Sequence, residues 1–293
     1  MATFFKRIEG NFKDPRVCLL WSKRLSRLFR PLSLNIAREI CLYLTPNCLL
    51  ADLRQNSLRF LDSRSQTRTP QVVLTCTIPL STDTSRWIIL HTGKVLCCGG
   101  KSRKDWLSTV YLISGNGEVE RKPALLKGRA SPGLIQWQDY VLLFGGENRG
   151  PLLDSESLAL PNGRCWQSLP SMSSPKHSFN PCLFYDVIYL CGCGSEWLEG
   201  FAPRANCYTA LSVHLPKLEN CCLYVNRDVL VIVSPALVVK YRPGCEGVIE
   251  EGRAAGADFS KAQNSQPVVD ETSRRVFGLH GGKCWSFNMD VGV

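Results

Sequence analysis

A pair of glycines recurs after an apolar run at a near-constant interval, and this constrains the chain more than any other feature. Gly99-Gly100 closes KVLCCGG, and Gly145-Gly146 closes YVLLFGG 46 residues later. Gly192-Cys193-Gly194 closes VIYLCGCG about 48 residues further on. DVLVIVSP at 228–235 falls near the next place without its glycines, and RRVFGLHGG at 274–282 about one period beyond. Short β-branched and aliphatic runs bounded by turn residues read as buried strands. Glycine after such a strand permits positive φ and close backbone approach, a regularity that helices would not tolerate.

The stretch after each glycine pair repeats as well. In the second unit Ser157-Leu158-Ala159-Leu160 reads as a third strand and Pro161-Asn162-Gly163 as a turn. A fourth strand runs from Trp166 to Leu169-Pro170, and Met172 and Pro175 lead onward. The first unit has Thr109 to Leu112, a Gly115-Asn116-Gly117 turn, and Val119 to Leu126. The third has Cys207 to Ala210, then Leu211 to Leu215. A diglycine strand, then Trp-x-x-Leu-Pro-x-Met and a Pro-basic pair, resemble a kelch repeat. Residues 140–176 match best, and the likeness extends over roughly 50–290.

The resemblance implies an all-β fold, a kelch-type β-propeller of five or six four-stranded blades. Blades bury their faces against one another, so such repeats are expected to stack around an axis. The expected division is a basic N-terminal helical segment over 1–46 and the propeller over 47–293. The strands expected in 49–77 either complete the last blade or add a sixth, and the Gly-, Ala- and charge-rich segment 243–267 is expected to be a long loop. Trp166 is assigned to packing between blades, as the kelch resemblance implies.

Positive charge concentrates at the front. Residues 1–70 hold 13 Lys/Arg against 5 Asp/Glu, whereas the rest holds 22 against 20. Within 16–30, Val17, Trp21, Leu25, Leu28 and Phe29 fall on one helical face and Lys23, Arg27 and Arg30 on the other. A basic amphipathic helix of this kind packs on its own domain or engages a membrane surface or a calmodulin-like receptor. The next string, Pro-Leu-x-x-x-Ile-x-x-x-Ile-x-x-Tyr-Leu over 31–44, resembles the start of an F-box. That resemblance implies a helix presenting Leu32, Ile36, Ile40 and Leu44 to a Skp-type adaptor of a ubiquitin ligase. The plainer reading is a helix that caps the propeller.

Signs of chemistry are scarce. The four histidines, His91, His177, His214 and His280, share no window with cysteines at zinc spacing. The fifteen cysteines contain no Cys-x-x-Cys, and most lie in apolar runs as small buried hydrophobes. Gly281-Gly282-Lys283 lacks the strand–loop–helix setting of a phosphate loop, and no Gly-x-Ser-x-Gly elbow is present. Copper oxidases that share the kelch architecture need Tyr and His ligands that are not gathered here. The expectation is therefore a non-catalytic protein, with no metal, no cofactor and no nucleic-acid partner. No run is long enough for an integral membrane segment and no signal-type stretch opens the sequence, so the expected compartment is the cytoplasm.

The function expected is protein–protein interaction, with the loops after the diglycine strands as the binding face. The residues singled out there are Lys101, Arg103 and Trp106, then Arg149, then Trp197 in an exposed segment running from Ser195 to Arg204. Trp and Arg are the types that carry interface energy. Arg129 and Lys176 are expected on the same face, in the loops between blades.

Overall fold

The structure is a computed structural model that describes residues 49–54, 57–62, 71–77, 84–102, 105–114, 118–193, 195–214, 221–226, 228–233, 238–243, 248–252, 268–270, 275–280 and 283–288. The helices expected over 16–30 and 31–46, with Leu32, Ile36, Ile40 and Leu44, lie outside the described residues, as does Arg103. The described residues form an all-β structure of six antiparallel sheets. No helix among them is long and apolar enough to cross a membrane.

Sheet A holds β1 (Leu49–Arg54), β2 (Ser57–Asp62) and β3 (Gln71–Thr77). Four four-stranded sheets follow. Sheet B is β4 (Arg86–Ile89), β5 (Val95–Cys98), β6 (Val110–Ile113) and β7 (Val119–Lys122). Sheet C is β8 (Gly133–Trp137), β9 (Tyr140–Phe144), β10 (Ser155–Ala159) and β11 (Gln167–Leu169). Sheet D is β12 (Cys182–Phe184), β13 (Val187–Leu190), β14 (Trp197–Ala202) and β15 (Cys207–His214). Sheet E is β16 (Cys222–Asn226), β17 (Val229–Val233), β18 (Val238–Tyr241) and β19 (Val248–Gly252). Sheet F holds β20 (Val268–Asp270), β21 (Arg275–His280) and β22 (Lys283–Asn288). In every sheet the strands neighbour one another in chain order.

Two expectations change, and the choice left open for 49–77 narrows. The strands of 49–77 pair among themselves in sheet A, and no described ladder joins them to sheet F. β19 lies inside the segment expected to be a loop. Sheet D takes its third strand from Trp197–Ala202, and the residues expected as third and fourth strands form one strand, β15.

The apolar runs are buried on both faces, and strand alternation shows why. Successive side chains of a strand point to opposite faces. On β9, Val141 and Leu143 join a cluster with Ile88, Leu96, Val110 and Leu112 of sheet B. Leu142 and Phe144 join a second cluster with Ile188, Leu190 and Phe201 of sheet D, which runs on to Leu230 and Ile232 of sheet E. Each fully buried aliphatic or Phe side chain contributes about 1.5–3 kcal/mol. Trp166 is buried in the first cluster and donates from Nε1 to the carbonyl of Pro123 at 3.0 Å, in the connection between sheets B and C.

The diglycines make the joints between sheets. Gly99 and Gly145 have φ of 64° and 56°. A Cβ at Gly145 would stand 2.2 Å from the carbonyl oxygen of Lys176, and one at Gly99 would stand 2.4 Å from that of Arg129. The second glycine uses the space: Gly100 N–H donates to Arg129 O and Gly146 N–H to Lys176 O, both at 2.8 Å. The second strands of sheets B and C are thereby hydrogen-bonded to the chain that enters the next sheet.

Candidate partner-binding loops

The connections between second and third strands leave sheets B, C and D at the end where the chain passes to the next sheet. The joints just described lie at that end, as do the bridges Ala130–Glu147 and His177–Cys193. The loop of sheet B is a tight reversal. Lys101 pairs with Trp106, Leu107 N–H donates to Gly100 O at 2.8 Å, and Asp105 N–H donates to Ser102 Oγ at 3.2 Å. Exposed Lys101 holds its ammonium 4.9 Å from the centre of the half-buried Trp106 ring, a cation–π contact worth about 0.5–1 kcal/mol at an exposed site. Trp106 Nε1 is shut off from water without a hydrogen-bond acceptor.

In sheet C the loop is pinned by Asn148, which donates from Nδ2 to Gly128 O at 2.7 Å and from its amide to Gly150 O at 2.9 Å. Arg149 stands exposed at the tip with φ 57°. In sheet D, Trp197 opens β14, is 49% exposed, and donates its amide N–H to Ser195 Oγ at 3.2 Å. It is a strand residue, so the expected exposed segment from Ser195 to Arg204 is corrected: Leu198 to Phe201 are buried.

Arg129 and Lys176 are corrected too. Both side chains are 0% exposed and serve as interior staples. Arg129 donates through Nη2 to Glu156 Oε1, through Nη1 to Gly145 O at 2.8 Å and Asp154 O at 3.0 Å, and through Nε to Lys127 O at 3.2 Å. Lys176 Nζ lies 2.5 Å from Glu199 Oε2 and 2.8 Å from Ser174 Oγ. The other carboxylate oxygens accept backbone amides, Leu126 N at 2.9 Å for Glu156 and Ser173 N at 2.7 Å for Glu199. The two staples share one plan, in which the amide three residues before the basic side chain meets the same carboxylate. A buried pair holds only when its remaining polar atoms are satisfied in this way. Burial lowers the Arg129 pKa, and Glu156 and Asp154 pull it back up.

Glu156, Glu199 and a third buried cation, Arg86, were not read from the sequence. Arg86 starts β4 and donates from Nε to Pro132 O at 3.0 Å and from Nη2 to Phe179 O, linking sheet B to the entries of sheets C and D. The Pro175-Lys176 pair was the only signal, and for Lys176 alone, because each carboxylate lies more than twenty residues away along the chain and on a strand. Among the described residues no group of three His, Cys, Asp or Glu is placed to hold a metal ion. No protein-family model and no curated protein matches the chain.

Proposed function

We propose that the six sheets are blades of a kelch-like propeller and that the chain is a non-catalytic scaffold, binding a partner protein through the loops between second and third strands. The observation that carries the reading is the sorting of side chains at that end. Arg129 and Lys176 are drawn inside by carboxylates, while Lys101, Arg149 and Trp197 stay in solvent, the first two on loops and Trp197 at the start of β14. A rigid interior under a varied set of exposed Trp, Arg and Lys is a common way to build a binding face. Trp106, stacked under Lys101, gives the face a second aromatic.

The test is capture from a cytosolic extract by the full chain, by a Lys101→Glu/Arg149→Glu/Trp197→Ser variant, and by Tyr185→Ser. Tyr185 is 68% exposed in the turn between β12 and β13, at the opposite end of sheet D. The triple variant is expected to lose a protein that the wild type and Tyr185→Ser both retain, with unchanged thermal unfolding. Loss with Tyr185→Ser alone would move the working surface to the opposite end. Capture of a Skp-type adaptor that disappears only on deletion of 1–46 would favour a ubiquitin-ligase receptor instead.

A further inference from the structure

Cys191 follows β13 at the place that Gly99 holds after β5 and Gly145 after β9. At those glycines a side chain would collide with a carbonyl of the next sheet's entry. At Cys191 the side chain instead meets Cys221, the residue before β16 of sheet E. The two sulfurs are 3.3 Å apart, and Cys221 Sγ also lies 3.1 Å from Cys191 O. Both side chains are fully buried. Paired buried thiols are ordinarily inert hydrophobes. Here they touch across two sheets, close enough for one sulfur to attack the other once it is oxidised.

We propose that Cys191 and Cys221 are a reversible redox pair that joins sheet D to sheet E by a disulfide when the protein meets hydrogen peroxide. Cys221 gives up its proton, and its thiolate attacks one peroxide oxygen. The O–O bond breaks, hydroxide takes up that proton and leaves as water, and a sulfenic acid remains. The Cys191 sulfur attacks that sulfur, the S–O bond breaks, and a second water leaves with the Cys191 proton. Two thiols lose two electrons and peroxide is reduced to two waters. The sulfurs need to close by only about 1 Å to reach disulfide length. A dithiol such as dithiothreitol reverses the step by exchange.

The test uses the full chain, titrated with hydrogen peroxide, alkylated under denaturing conditions and digested with trypsin without reductant. Cleavage after Arg204 and Lys217 puts the two cysteines on separate peptides. The expected product is a linked pair about 2 Da lighter than the two thiol peptides combined, lost on treatment with dithiothreitol. Fragmentation should place the bond at Cys191 and Cys221, not at Cys193 or Cys222. In Cys191→Ser the link should vanish and a dimedone-reactive sulfenic acid should appear at Cys221. The proposal is overturned if both thiols remain alkylatable at doses that oxidise the exposed Cys165 and Cys207. It is also overturned if either cysteine pairs mainly elsewhere. These readings on the wild-type chain stand even if the serine variant fails to fold.

Discussion

In sheet C the positions of β10 opposite Phe144 and Leu143 carry Ser155 and Glu156, and the carboxylate anchors Arg129. In sheet B the positions of β6 opposite Cys98 and Cys97 carry Val110 and Tyr111, neither of them acidic. The buried cation of sheet B, Arg86, turns to the main-chain carbonyls of Pro132 and Phe179. Burial takes its pKa down to about 10, well below the ordinary guanidinium value. The same strand order thus accommodates an internal charge in two ways. A carboxylate ties one sheet to its own entry segment, whereas carbonyls tie one sheet to two neighbours. The first depends on a single distant side chain. The second depends on backbone and is insensitive to which residues supply it.

The largest expected effect breaks the first arrangement. Glu156→Gln should destabilise the protein by about 3–5 kcal/mol, because Arg129 is left buried without its counter-charge. The paired change Arg129→Met/Glu156→Leu, which makes sheet C resemble sheet B, should recover most of that loss. Urea unfolding of the three proteins measures both, and equal losses in single and paired variants would show that the pair is not a unit.

An intermediate effect concerns alkaline pH and falls on sheets B and D rather than on sheet C. Burial pushes Cys97 of β5 up to about 11 and raises Cys98, which also feels Cys97 and Glu156. Burial likewise takes Cys182 and Tyr189 up to about 12 and raises Tyr208. These groups stay protonated in the fold at pH values where the unfolded chain ionises, near 9 for thiols and 10 for phenols. Their stabilisation is complete below about pH 9 and is lost as pH rises toward 12, at about 1 kcal/mol per pH unit for each group. Arg86 opposes the trend above about 10, since its folded pKa is depressed. Urea midpoints should hold steady to about pH 8.5 and then fall, less steeply for Cys98→Ala.

The smallest effect lies just outside the staple of sheet C. Lys127 and Asp154 are about half exposed, with Nζ 3.3 Å from Oδ2. Lys127→Ala should change stability by no more than about 0.5 kcal/mol. A larger loss would mean that this surface charge supports Arg129, whose Nη1 bonds Asp154 O.

The contrast also explains what could be read from the sequence. The second strands were legible because period and β-branching, with glycine after most of them, are local signals, and β5, β9, β13, β17 and β21 fall on the expected runs. β14 was not legible. Its string WLEGFA places Glu199 and Gly200 mid-strand, and both are buried. Glu199 tolerates burial only through Lys176, and at Gly200 a Cβ would stand 3.0 Å from Val187. Neither reason is visible along the chain. Arg129 and Lys176 looked like loop cations for the same reason, since a partner across two strands leaves no mark on the neighbouring sequence. Lys101, Arg149 and Trp197 were readable as exposed because their local turns suffice to place them.

The hydrogen bonds from Gly100 to Arg129 and from Gly146 to Lys176 have a consequence for divergence. Donor and acceptor are both main-chain atoms, so the bond makes no demand on the side chain beside the carbonyl. Arginine serves in one place and lysine in the other. At these two joints the main-chain bond can survive exchange of the side chain beside the carbonyl, so that sheets B and C still grip their successors. The spacing of the glycines and the main-chain bonds they donate can then persist while the side chains around them change.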